Sequence, residues 1–228
     1  MTQDGSFPEE RDCILRVRPD RNVPEAGSVR AASGTDIVTQ DELLQLFRRS
    51  GALLNGHFRL TSGLHSPGYL QCALVLQDPR NASTLGEALA ATIRPLGATV
   101  VLSPALGGIV IGHEVARALG VRAIFAERQD GSLQLRRGFA LDTSDRVLVV
   151  EDVVTTGGST RETLDVARAA GATPVGAAAL VDRSAATADL GVPFSALLRI
   201  TLPTYVADDC PLCAQGLPVV KPGSRGEN

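Results

Sequence analysis

From about residue 80 onward, largely apolar runs alternate with helical patterns. ATVVLS (98–103), VRAIFAE (121–127), RVLVV (146–150), PVGAAALVD (174–182) and FSALLRIT (194–201) read as strands. Helices are expected over about 80–95, over 107–120 with Gly120 past the end, and over about 159–170 before Gly171. Strands that are apolar throughout have no solvent side, so helices must cover both faces of their sheet. The series therefore predicts an α/β fold with a central parallel sheet flanked by helices. No internal repeat interrupts it.

The rest of the chain is organised differently. Residues 1–36 are charged, carry scattered Pro and Gly and lack periodicity, which predicts a disordered extension ahead of a domain over 37–228. Within the extension, CILRV (13–17) is a short strand at most. Thr39 is placed to cap a helix with Asp41 and Glu42 in its first turn and an apolar stripe of Leu43, Leu44, Leu46 and Phe47. GHFRLTSGLHSPGYLQCALVL (56–76) reads as strand, turn and second strand, and RQDGSLQLRRGF (128–139) as a polar, turn-rich segment.

Composition excludes several functions. The 228 residues carry a net charge of −3, so there is no surplus cation to neutralise a nucleic-acid backbone, and aromatics at 4% with no Trp give no base-stacking platform. No apolar run approaches the roughly 18 residues of a spanning helix. Four scattered cysteines fit a reducing compartment better than a disulfide framework, and the acidic N-terminus is no secretory or transit signal. A cytoplasmic protein free of membrane is expected.

The chemistry concentrates at RVLVVEDVVTTGGST (146–160). A buried strand runs into Glu151 and Asp152, then into Thr155, Thr156, Gly157, Gly158 and Ser159 at the start of a helix. In an open α/β sheet, ligands bind beyond the carboxyl ends of strands. Hydroxyls, permissive glycines and a positive helix end suit a phosphate. Two acids repel a phosphate but accept from hydroxyls, so a ribose 5-phosphate satisfies both halves.

VLVVEDVVTTGGST resembles the phosphoribosyl-pyrophosphate (PRPP) motif of the type I phosphoribosyltransferases. GHFRLTSGLHSPGYLQ, SPALGGIVIGHEVARAL, VDRS and CPLCAQGLPVVKPGSR extend the resemblance to the orotate phosphoribosyltransferases over about residues 39–225. It implies the type I phosphoribosyltransferase fold, with a small hood from about 56–76 and the C-terminal segment. It also implies Mg2+-dependent transfer of phosphoribose from PRPP to orotate, giving orotidine 5-monophosphate and pyrophosphate, by a homodimer. Carried over by residue, Glu151 and Asp152 take the ribose hydroxyls, and Val153, Val154, Thr155, Thr156, Gly157, Gly158 and Ser159 surround the 5-phosphate. Arg128 and the turn at Gly107 approach the pyrophosphate. Thr155, Tyr69, Leu70 and Arg183 meet orotate, Arg183 at its carboxylate. Mg2+ is held mainly by the substrate.

Three positions depart from the family pattern. Thr61 and Gly107 stand where the family often has lysine. The segment after Arg128 has neither lysine nor histidine, leaving Arg136 and Arg137 as the cations of a mobile loop over 128–137. Two alternatives remain from sequence: a transferase for another base, and a PRPP-binding regulator without catalysis. His57, His65 and His113 read as structural or surface histidines. Cys210-Pro211-Leu212-Cys213 has the spacing of half a zinc site but no evident second pair, so a turn packing the C-terminal tail is expected.

Overall fold

The computed structural model describes residues 16–17, 39–60, 62–184 and 189–222, so most of the N-terminal extension and Thr61 lie outside the described residues. These residues divide into two units, taken here separately.

The larger unit, Val17–Ala52 with Gln71–Thr201, holds the βα series. Its central strand β4 (Val100–Pro104) is buried at every position. β5 (Arg122–Gln129) and β7 (Arg146–Val154) flank it in parallel. β8 (Thr173–Asp182) and β9 (Phe194–Thr201) extend the parallel sheet beyond β7. β6 (Ser132–Leu135) adds an antiparallel edge on β5, and the two-residue β1 (Arg16–Val17) neighbours β9. The spatial order β1-β9-β8-β7-β4-β5-β6 contains a reversal. The chain leaves β4 toward β5 and returns to β7 on the other side of β4. Connections from β4 and β7 therefore depart to opposite faces, and a crevice opens at their carboxyl ends.

Side chains show the two faces. Leu164 and Ala167 of α5 (Gly158–Ala169) pack with Val100, Leu102, Val147 and Val149. α4 (Gly107–Leu119) lies on the other face, where a Cβ on Gly112 would strike Ser103 and reach Val101. α3 (Pro79–Ile93) starts with Pro79 behind an Asp78 cap and packs against α4, where Gly86 leaves only 2.6 Å to the Glu114 Cβ for a side chain of its own. Each fully buried leucine in these layers, such as Leu89 or Leu164, contributes about 1.5–3 kcal/mol. α1 (Gln40–Arg49) begins as its sequence predicts. Thr39 Oγ1 accepts from the Glu42 amide at 3.2 Å, and Glu42 accepts from the Thr39 amide at 2.7 Å, a reciprocal cap worth about 1 kcal/mol.

Two sequence expectations need correction. The second strand of 56–76 ends at Leu70, and Ala73–Leu76 is a short helix, α2, that buries Val75 and Leu76. The segment 128–137 is not an irregular loop. β5 runs through Gln129, turns at Asp130 (φ 50°) and Gly131 (φ 88°), and returns as β6. Two consecutive positive φ values give the turn whose twist matches a tight hairpin. Leu133 is buried and Leu135 packs beside it, while Ser132 and Gln134 face out.

The smaller unit is built from Leu53–Leu70 and the segment from Leu202 onward. β2 (Leu53–Arg59) and β3 (His65–Leu70) pair antiparallel. The C-terminal segment crosses them: His65 and Tyr205 exchange backbone hydrogen bonds at 2.8 and 2.9 Å, and Val220 bonds to His57 and Arg59 at 2.8 Å each. Between these contacts lie a 3-10 turn (Ala207–Asp209) and the one-turn helix α6 (Pro211–Ala214).

Candidate active site

The reversal between β4 and β7 brings together the two turns singled out in the sequence. β7 extends to Val154, four residues beyond the expected end, so Glu151 and Asp152 belong to the strand itself. Successive strand residues face opposite ways. Glu151 faces α5, accepting from Ser159 Oγ at 2.6 Å, and Asp152 faces α4, lying against Gly107. A Cβ on Gly107 would stand 2.7 Å from both Asp152 carboxylate oxygens, so a larger residue here makes that carboxylate shift. One acid thus attends each turn at the crevice.

Burial governs the electrostatics. It pushes the Glu151 carboxyl up to about 7, reinforced by the Asp152 charge and opposed by the Ser159 hydroxyl. Burial also raises Asp152, against the Val153 amide that donates to Asp152 Oδ1 at 2.8 Å. The neighbouring Cys72 is 1% exposed, as its sequence suggested, and burial and Asp152 push its thiol up while Arg183 pulls it down. Arg183 follows β8, its amide donating to Val154 O at 2.8 Å, and its charge is felt in this acidic neighbourhood.

The turn after β7 suits an anion. Gly157 takes φ 76° as the N-cap of α5, and no side chain caps the helix. Its first amides are left for a ligand. Thr155, Thr156, Gly158 and Ser159 are exposed there. Ser159 also donates to Glu151, linking this turn to the acid pair. Val154 is 1% exposed, so its side chain belongs to the core and only its backbone is available.

The arginines of the β5–β6 hairpin differ. Arg128 forms a bidentate pair with Glu162 of α5, at 2.6 and 3.3 Å, and Glu162 also accepts from the Leu133 amide at 2.6 Å. Arg137 forms a bidentate pair with Glu127, both bonds 2.8 Å, with its guanidinium 5.8 Å from the Phe125 ring centre. Arg136 is exposed and makes no side-chain hydrogen bond among the described residues. Tyr69 and Leu70 end β3 in the smaller unit, Tyr69 half-buried with its ring 5.8 Å from that of Phe58, and Leu70 buried.

The parallel sheet carries a strand-end acid pair and an uncapped helix start at its reversal, and residues 76–201 match the model of the phosphoribosyl transferase domain, which places the chain among the phosphoribosyltransferases. The chain is 55% identical over 188 residues to the orotate phosphoribosyltransferase of Pelotomaculum thermopropionicum, covering 82% of this chain and 99% of that protein. It is 53% identical over 186 residues to that of Carboxydothermus hydrogenoformans, covering 81% and 97%. The crystal structure of orotate phosphoribosyltransferase from Aeropyrum pernix matches with a TM-score of 0.57 at 26% identity, over 68% of this chain and 93% of that one. The chain belongs to the orotate phosphoribosyltransferase family.

Sequence reasoning missed Glu162. Its only signal was a carboxylate four residues along α5 from Gly158, one turn from the phosphate end. It also missed what Gly107 does, because the partner, Asp152, is 45 residues away in the chain.

Proposed function

We propose that this protein transfers the 5-phosphoribosyl group of PRPP to N1 of orotate, releasing pyrophosphate and giving orotidine 5-monophosphate, a step of pyrimidine nucleotide synthesis. The buried acid pair beside an uncapped helix start, in a chain so similar to orotate phosphoribosyltransferases, supports this reading most strongly. The 5-phosphate accepts from the amides of 155–159 and from the Thr155 and Thr156 hydroxyls, with Val153 and Val154 contributing backbone alone. The ribose 2- and 3-hydroxyls donate to Glu151 and Asp152. Arg183 pairs with the orotate carboxylate through its planar fork, and Tyr69 and Leu70 pack against the base.

As the bond from the anomeric carbon to pyrophosphate breaks, positive charge grows on the ribose and negative charge on the leaving group. The ionised acids favour the first. Arg136 of the hairpin serves the second, joined by Arg137 and Arg128 once they leave Glu127 and Glu162, with the turn at Gly107 carrying backbone close to it. Both acids are hard oxygen donors and fit Mg2+, which, held mainly by PRPP oxygens, neutralises pyrophosphate charge when bound. The same reading has the enzyme working as a cytoplasmic homodimer on small molecules, with neither nucleic acid nor membrane as partner; among the described residues no helix is long and apolar enough to cross a membrane.

With purified protein, PRPP and Mg2+, orotate absorbance is expected to fall, and uracil, hypoxanthine or xanthine added as competitors should neither react nor slow it. Binding of PRPP without orotate turnover would instead indicate another base or a sensor. Within the hairpin, Arg136→Ala is expected to lower kcat about 10- to 100-fold with a smaller change in the KM for PRPP. Arg137→Ala should cost less, because Arg137 must first leave Glu127. Equal small losses in kcat and KM for both variants would remove the arginines from catalysis.

A further inference from the structure

The smaller unit brings together four side chains that the proposed reaction does not use. His57 Nε2, His65 Nδ1, Cys210 Sγ and Cys213 Sγ all lie within 4.8 Å of one another. The nitrogens are 2.9 Å apart; Cys210 Sγ is 3.5 Å and Cys213 Sγ 3.7 Å from His57 Nε2, and Cys213 Sγ is 3.3 Å from His65 Nδ1. His57, His65 and Cys210 are buried. The second ligand pair that the Cys210-x-x-Cys213 spacing lacked in sequence is thus the histidine pair of the β2–β3 hairpin.

We propose that these four residues form a structural zinc site. Zinc bonds of about 2.3 Å to sulfur and about 2.0–2.1 Å to nitrogen give a tetrahedron with edges of about 3.3–3.8 Å. The three sulfur–nitrogen separations fall at those lengths, and the nitrogen pair needs to open by only a few tenths of an ångström. Two thiolates and two imidazoles form a borderline-soft donor set that suits Zn2+ and disfavours Mg2+. A contact that orients one ring is already in place. His57 Nδ1 lies 2.8 Å from the Leu217 carbonyl, which accepts the Nδ1 proton and leaves Nε2 with a free lone pair toward the other three donors. Thiols are weak hydrogen-bond donors, so a quartet of this kind, three of its members buried, gains little from hydrogen bonding alone.

The fold supplies the reason for such a site. Among the described residues, the smaller unit has only a two-stranded ribbon and the C-terminal segment that crosses it. Isolated hairpins are marginal, and units below about 70–80 residues often add a metal or disulfide. All four ligand positions come from protein, two from the hairpin and two from the turn into α6, which makes the ion a staple and leaves no open position for catalysis.

The test uses the full-length, untagged protein. Elemental analysis after dialysis is expected to find about one zinc per chain, falling to background in Cys210→Ser and in Cys213→Ser. Cobalt exchanged into the wild-type protein should give the intense visible bands and thiolate charge transfer of a tetrahedral sulfur–nitrogen site. This second readout holds even where a cysteine variant fails to fold. Wild-type protein that carries no zinc and takes up neither Zn2+ nor Co2+ against a weak chromophoric chelator overturns the proposal, as does a Cys210–Cys213 disulfide found by mass in freshly purified protein.

Discussion

Gly107→Ala is expected to lower kcat/KM for PRPP by up to about 10-fold while the melting temperature stays within a few degrees of wild type. The change adds one methyl group at the first position of α4, where alanine is a better helix former than glycine. Its cost is therefore not to the helix. The new Cβ would stand 2.7 Å from both oxygens of Asp152, closer than real contacts allow, so the carboxylate or the turn must move. In the proposed function Asp152 accepts from a ribose hydroxyl; a misplacement of about 1 Å can cost about 100-fold in rate, and the few tenths of an ångström needed here correspondingly less. Steady-state kinetics with PRPP varied, beside a thermal melt, separate the two effects. Unchanged kinetics would show that Asp152 does not need its present position. A large loss of melting temperature would show that the turn is a folding element first.

Glu151→Gln is expected to make the free protein more stable and the enzyme slower. The Glu151 carboxyl is held at about 7 against an ordinary 4.5. Between these pH values the folded chain keeps a proton that the unfolded chain has released, so wild-type stability falls as pH rises through the window. The loss is complete above about pH 7 and is at most about 3 kcal/mol. Glutamine cannot ionise and still accepts from Ser159, so the variant should gain over wild type at pH 8 and show little gain at pH 4.5. Denaturant melts at the two pH values check this. The same ionisation makes wild-type kcat/KM for PRPP rise with pH through about 7, since that ratio reports the free enzyme. In Glu151→Gln the limb should vanish and the plateau drop about 10- to 100-fold. Equal stability differences at both pH values would contradict the raised carboxyl.

Much of the larger unit was legible because its signals are local. The Phe194–Thr201 strand, the Thr39 cap and the helix ended by Gly120 each follow from a few neighbouring residues. The acids at the strand end and the glycine turn into α5 were legible for the same reason, being contiguous from 151 to 159. What failed depended on tertiary context. Charged residues around Asp130-Gly131 hid a hairpin whose alternation, Ser132-Leu133-Gln134-Leu135, only becomes decisive once α5 covers Leu133. Val153 and Val154 extend β7 because β8 continues beside them as far as Asp182. The His57 and Cys210 pairs are about 150 residues apart, and no periodicity links them.

Glu162 holds the hairpin from outside, grasping a side chain on one strand and a backbone amide on the other. The hairpin's attachment to α5 therefore does not draw on Arg136 or Arg137. A cation can change its chemical identity or move along the ribbon without loosening that anchor. A ribbon assembled this way can exchange lysine and histidine for arginine at its exposed positions by single substitutions, each intermediate keeping the ribbon in place.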